Sequence, residues 1–235
     1  MSAIPEQERA RDPLAVVRAY AAAGFRVLPI HTAPDGRCSC GKPDCHSPGK
    51  HPRTEHGVDD ATTELETIDV WATRWPGCNW GMALDGLVVP DCDPRHGGDI
   101  TAQLLIDKHG GAWPDTATAI TGGGGWHRVY RAQADAHYPG KLGPGVDLKH
   151  GAGMYIVVEP STHASGRPYS WIDGTDPQST PPALAPAWLG SARIAGKSRT
   201  GTATVRVLDD VVADLKSALA AVSYTHLTLP TNREV

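Results

Sequence analysis

The stretch Gly86–Asp99, GLVVPDCDPRHGGD, runs an apolar segment, Leu87-Val88-Val89, straight into Asp91 and Asp93. A short apolar run bounded by turn residues forms a buried strand, and carboxylates avoid such places. Alternate side chains of a strand share a face, so Asp91 and Asp93 point the same way, roughly 7 Å apart. Two carboxylates on one face repel unless a cation neutralises them. A divalent metal does so, and paired carboxylates suit a two-metal site for in-line phosphoryl displacement. A bare Asp-x-Asp also occurs as a polar turn, with Asp93 opening a loop and Asp99 capping a helix, and as the metal motif of sugar-nucleotide transferases.

Outward from this strand, periodicity and turn residues predict a mixed order of elements. Asp12-Pro13 opens a helix that Gly24 ends. FRVLPI reads as a strand, and residues 36–53 as a polar, Cys-rich loop. TTELETIDVWATRWPG predicts a second helix, with Thr63 and Glu66 as a capping box and Leu65, Ile68, Trp71 (or Ala72) and Trp75 on one apolar face. NWGMAL and LVVP, joined at Asp85-Gly86, predict a hairpin. DITAQLLIDKHGG predicts a third helix, and TATAIT, HRVYR, GVDLK and YIVVEP four more strands. This interleaving fits an α+β fold with a mostly antiparallel sheet.

The stretch STPPALAPAW reads as a boundary, from about Gln178. RVLDDVVADLKSALAAV beyond it starts another helix. The last residues, VSYTHLTLPTNREV (Val222–Val235), resemble the translation of a transposase-based sequencing adapter. They are set aside as a fusion scar, and the natural chain is expected to continue past Ala221.

With 235 residues, 40% of them hydrophobic, the chain suits one large domain, or one and a piece of another. A net charge of −4 excludes a uniformly basic, histone-like nucleic-acid binder, so any polyanion must meet a local patch. No apolar run reaches the ~18 residues of a membrane span, and the N-terminus, MSAIPEQERARDP, has no apolar signal region. The expected location is cytoplasmic, without membrane contact.

Three further segments carry chemistry. In TGGGGWHRVYR, Gly122 to Gly125 permit close backbone approach to a ligand. No Gly-Lys-Ser/Thr follows, so this is not a Walker A loop. His127 sits where the loop enters a strand, placed to donate to a phosphate oxygen. In GVDLK, Asp147 lies between Val146 and Leu148 and opposite to them, a candidate third metal carboxylate. In CSCGKPDCHSPGKHP, Cys38, Cys40 and Cys45 offer soft ligands, and His46 or His51 completes a tetrahedral zinc site. The adjacency of Cys45 and His46 strains a shared ion and favours His51. Clustered cysteines in a cytoplasmic chain read as metal rather than disulfide, whereas Cys78 and Cys92 lie on apolar elements and read as buried thiols.

Taken in order, these segments resemble the N-terminal primase–polymerase domain of bifunctional DNA primase/polymerases, a family of the archaeo-eukaryotic primase superfamily. The resemblance runs from about Leu14 to Gly174. It takes in YAAAGFRVLPIH, GKHPRTEHGVDDATTE, the W-x-x-R-W-P helix end, NWGMALDGLVVPDCDPRHGGD, TGGGGWHRVYR and PGVDLKHGAGMYIVVEPSTHASGRPYSW. It implies an RRM-like catalytic sheet joined to an additional α/β lobe, here with a small zinc loop. It implies that Asp91, Asp93 and Asp147 hold two Mg²⁺ or Mn²⁺ ions and that His127 contacts the phosphates of an incoming nucleoside triphosphate. Gly123, Gly124 and Gly125, with Lys50, Arg131 and Lys149, are candidates for nucleotide or template contacts.

The expected function is template-dependent priming and DNA synthesis on single-stranded DNA, in replication of a bacterial, phage or plasmid element. The alternative is a catalytically weak, zinc-containing single-stranded-DNA-binding module. A helicase or ATPase domain commonly follows in the family. The expected organisation is a catalytic domain over 1–177, a linker and truncated C-terminal region over 178–221, and the adapter-derived tail over 222–235. Three positions depart from the family pattern. Pro90 precedes the first Asp and suits an edge strand or bulge, Trp126 stands where a basic residue is common, and Glu159 replaces a small residue or proline.

Overall fold

Asp12 and Pro13 open the first helix, α1 (Pro13–Ala22): the Asp12 carboxylate accepts from the Leu14 N–H at 3.1 Å, and proline occupies the first turn, where a missing N–H is harmless. The computed structural model describes residues 12–192, so the expected helix from Arg206 and the tail 222–235 lie outside the described residues. The second helix, α2 (Leu65–Arg74), starts later than a capping box of Thr63 and Glu66 requires. Glu64 is its N-cap and no side chain caps it. The cause is tertiary: Thr62 exchanges both backbone hydrogen bonds with Val27 and holds the chain extended there. Ile68 is fully buried and Trp71, Ala72 and Trp75 pack beside it, but Leu65 remains 46% exposed. The third helix is α3 (Gly98–His109).

The strands, in chain order, are β1 (Val27–Ile30), β2 (Asn79–Ala83), β3 (Leu87–Cys92), β4 (Ala117–Ile120), β5 (Trp126–Arg131), β6 (Ala136–His137), β7 (Lys141–Gly143), β8 (Val146–His150), β9 (Tyr155–Val158), β10 (Ser170–Trp171), β11 (Ala183–Leu184) and β12 (Ser191–Ala192). A three-stranded antiparallel sheet has the order β1-β2-β9. A seven-stranded sheet runs β10-β4-β5-β3-β8-β7, with β11 parallel on β5, and β12 pairs with β6. The fold is thus α+β and mostly antiparallel.

The expected hairpin of β2 and β3 does not form. Its turn carries the chain from one sheet to the other, because β1 and β9 occupy both edges of β2. Local signals identify the two strands and the turn, but not which strands pair. Pro90 is also central rather than on an edge. The β3–β5 ladder matches Val88 with Tyr130 and Asp91 with His127, keeps register, and skips the two residues between, where Pro90 has no N–H to give.

Strand parity divides the large sheet. On one face Val89, Val129, Ala117, Ala119 and Trp171 pack with Val17, Tyr20 and Ile68 of the helices and with Trp80 and Met82 of the small sheet. On the other, Val88, Cys92, Tyr130, Val146 and Leu148 pack with Ala102 of α3 and with Ala185 and Leu189. The Pro-rich segment read as a linker therefore belongs to this unit: Ala183 and Leu184 add a strand to β5, and Leu189 is 1% exposed.

The glycine run between β4 and β5 is tight for an internal reason. A Cβ on Gly125 would stand 1.9 Å from the Cys92 carbonyl oxygen, and one on Gly122 would stand 2.2 Å from the His163 Cβ. These two glycines meet protein rather than ligand. Gly125→Ala is expected to destabilise the fold by about 3 kcal/mol through overpacking against backbone. Gly140→Ala, which meets nothing within 4 Å, should stay within about 0.5 kcal/mol of the parent. Urea denaturation of both variants checks the contrast.

Candidate active site

Register places the sequence-predicted residues. Asp91 on β3 stands directly opposite His127 on β5 and directly opposite Asp147 on β8. Directly opposed residues share a face, so His127, Asp91 and Asp147 form one row across three adjacent strands. Val146 and Leu148 are buried on the other face, which leaves Asp147 on the open side. Two residues earlier on the same face of β3, Val89 is fully buried in the core. The face therefore turns from core to cleft within one step of the pleat.

The cleft there has a volume of about 720 Å³ and takes in Lys50, Gly123, Lys149 and Asp93 besides the row. That is ample for a small-molecule ligand. Every carboxylate in it has a cation. The Asp91 Oδ2 lies 2.9 Å from the Lys149 Nζ, and its Oδ1 lies 3.3 Å from the His127 Nε2. Burial alone would raise the Asp91 carboxyl, but His127 and Lys149 hold it well below the usual carboxylate range. Asp93 is likewise held low, chiefly by the Arg95 guanidinium. Asp147 lies 3.6 Å from the Lys141 Nζ. The Nδ1 of His127 is buried without a hydrogen-bond partner among the described residues. Such atoms are rare in folded proteins.

A second group of charges borders the glycine loop. The Arg167 Nε donates to the Gly122 carbonyl at 2.9 Å, and the Arg95 Nη2 lies 3.3 Å from where a Gly123 Cβ would stand. Burial, with Lys50, Arg95 and Arg167 nearby, pushes the His163 imidazole down. Its Nδ1 lies 3.1 Å from the Ser165 backbone nitrogen and 3.0 Å from the Ser165 hydroxyl oxygen. Burial lowers Lys50, and the charges of Lys149 and Arg95 lower it further against the pull of Asp91.

The Cys-rich loop gathers as expected. The Sγ atoms of Cys38, Cys40 and Cys45 and a ring nitrogen of His51 all lie within 4.8 Å of one another. His46 is outside the group, so the fourth position falls to His51. Burial opposes ionisation of Cys38, but the N–H groups of Gly49 and Cys40, together with the Cys40 and His51 side chains, bring the thiol down to about 6. The loop is anchored to the cleft through Asn79, 3% exposed. Its Nδ2 donates to the Gly49 and Thr162 carbonyls at 3.1 and 2.9 Å, and its Oδ1 accepts from the Thr162 N–H at 2.9 Å. The Tyr155 hydroxyl donates to the Lys50 carbonyl, so the residue before His51 is fixed in the cleft wall.

Not every expected residue arrives. Arg131 lies at the far end of β5, where its Nε donates to the Pro182 carbonyl at 3.1 Å and holds β11. Gly124 and Gly125 shape the loop without lining the cleft. Conversely, Arg95, Lys141, His163 and Tyr169 line it and were not singled out from the sequence. Arg95 carried a signal, two residues beyond Asp93. The other three come from separate segments, and only the fold unites them.

A family model for the N-terminal domain of bifunctional DNA primase/polymerases matches residues 17–188, a span that holds the metal loop, both sheets' principal strands and every cleft residue named above. No curated protein matches the chain significantly. With most of its length inside that match, the chain belongs to the Prim-Pol family of bifunctional DNA primase/polymerases.

Proposed function

We propose that this chain is a template-dependent nucleotidyltransferase that primes and extends DNA on a single strand. The observation that carries this reading is the row His127–Asp91–Asp147 on adjacent strands, opening on a cation-lined cleft. In this reading the seven-stranded sheet is the RRM-like catalytic sheet, and the three-stranded sheet with α1 and α2 is the additional lobe. The oxygen donors of Asp91, Asp93 and Asp147 suit hard ions such as Mg²⁺ or Mn²⁺. Their fit is supported by the charge each one already draws from a cation of the chain. Two bound ions would lower the pKa of an attacking 3′-hydroxyl and stabilise departing pyrophosphate.

The chain's own residues then divide the remaining work. Lys50, Arg95, His163 and the Gly123 backbone receive the triphosphate, and His127 orients it. Lys149 balances Asp91 and is free to meet phosphate when a metal takes that role. On a chain of net charge −4, such local cations are what hold a polyanion. The Cys3His group suits a structural Zn²⁺ in a closed tetrahedral site. Zinc would fix the loop and, through it, Lys50. The proposed setting is cytoplasmic replication of a bacterial, phage or plasmid element, with a helicase or ATPase domain as the partner. Among the described residues no helix is long and apolar enough to cross a membrane.

Labelled nucleotide incorporation on single-stranded DNA, with Mg²⁺ or Mn²⁺ and with or without a primer, tests the reading. Product should require template and metal. Asp91→Ala should lower it at least about a hundredfold, since loss of even an outer partner of a metal ligand costs 10- to 100-fold. DNA binding without incorporation would instead support a binding module.

Zinc has its own test. Metal analysis should find one zinc per chain. Chelation should lower the Tm by about 5 °C or more, as each ~1 kcal/mol shifts a domain of this size by 2–4 °C. It should also raise the nucleotide KM more than it lowers kcat. Metal-free protein with an unchanged Tm would remove zinc from the account.

A further inference from the structure

Among the described residues Asp93 is the most heavily partnered carboxylate of the cleft. Its Oδ1 accepts from the Arg95 backbone N–H at 3.0 Å and from the Arg95 Nε at 2.9 Å. Its Oδ2 lies 2.8 Å from the Arg95 Nη2 and 3.0 Å from the His96 Nδ1. A carboxylate offers about four lone-pair sites; Arg95 fills three of them and the exposed His96 ring stands at the fourth, so a metal ion that takes both oxygens must displace the Arg95 side chain. The backbone N–H cannot leave without unwinding the turn at Pro94–His96. The Arg95 guanidinium can. Its side chain is 57% exposed and can swing on its own stem without moving the backbone. It also has a destination, because its Nη2 already reaches the Gly123 position in the wall of the cleft. A guanidinium matches a phosphate as well as a carboxylate, with the same two-pronged geometry.

The geometry points to Arg95 as an exchanging counter-ion: it occupies the Asp93 carboxylate in the metal-free protein and passes to a nucleotide phosphate when a divalent ion takes Asp93. No bond other than hydrogen bonds and ion pairs is made or broken. The inference rests on the reading of Asp93 as a metal ligand. It adds that the chain carries an internal competitor for its own metal, which becomes a substrate contact once displaced. Metal and nucleotide then bind with positive coupling, because each removes the other's obstacle.

The test is a pair of binding titrations on the 235-residue chain, free of template so that no turnover occurs. Mn²⁺ alone is followed by electron paramagnetic resonance, and dCTP in saturating Mn²⁺ by calorimetry. Arg95→Ala should bind Mn²⁺ about threefold more tightly, the scale of an exposed ion pair. It should bind dCTP about tenfold more weakly, the scale of charged hydrogen bonds. Arg95→Lys, which keeps the charge but loses the fork, should fall between parent and Arg95→Ala in both titrations. A residue that only supports the turn would weaken both affinities together, and that result overturns the exchange, as does an unchanged dCTP affinity. Asp91→Asn and Asp93→Asn separate the underlying reading: if neither weakens Mn²⁺ binding relative to the parent, the metal site itself is wrong and the exchange falls with it. If they do weaken it and Arg95→Ala leaves Mn²⁺ binding unchanged, only the exchange fails.

Discussion

Asp91 and Asp147 stand directly opposite one another on adjacent strands, and like charges in that position destabilise a sheet. Much of the cleft follows from this constraint. Lys149 and His127 flank Asp91, Lys141 approaches Asp147, and Arg95 closes on Asp93. Each carboxylate is held by a cation from its own chain, and the sheet keeps its ladder through the repulsive pair. A site built this way is balanced by cations of its own chain.

The second determinant is the division of one sheet face. Val89, Val129, Ala117 and Ala119 bury that face against the helices and the small sheet, and the next residues along it, Asp91 and His127, open on the cleft. The reverse face stays apolar to its end, with Cys92, Val146 and Leu148 packed near α3. Two packed sides hold β3 rigid up to the last residue before the site. That rigidity gives carboxylates a fixed geometry that a loop would not provide.

The Cys-rich loop joins this arrangement through backbone rather than side-chain charge. Asn79 opens β2 and bonds to Gly49 on one side and Thr162 on the other. It ties the Cys-rich loop to the segment that carries His163. Lys50 sits between that anchor and His51. The loop is therefore part of the cleft wall, and its fold determines where a cleft cation stands.

The sequence determined much of this by itself. Strands β1, β3, β4, β5, β8 and β9 and helix α1 follow from apolar runs, caps and turns, which act within a few residues. The Asp-x-Asp spacing, the strand position of Asp147 and the choice of His51 over His46 were also legible, because pleat and ligand strain are local. Tertiary structure decided the rest. Only pairing shows that β2 and β3 lie in different sheets, that Thr62 delays α2, and that Pro90 sits in a central strand. Only pairing brings Lys141 and His163 to the carboxylates, and it takes Arg131 away to β11. A turn or a periodicity states what an element is, but which edges meet depends on burial summed over the whole chain, and no single segment encodes that sum.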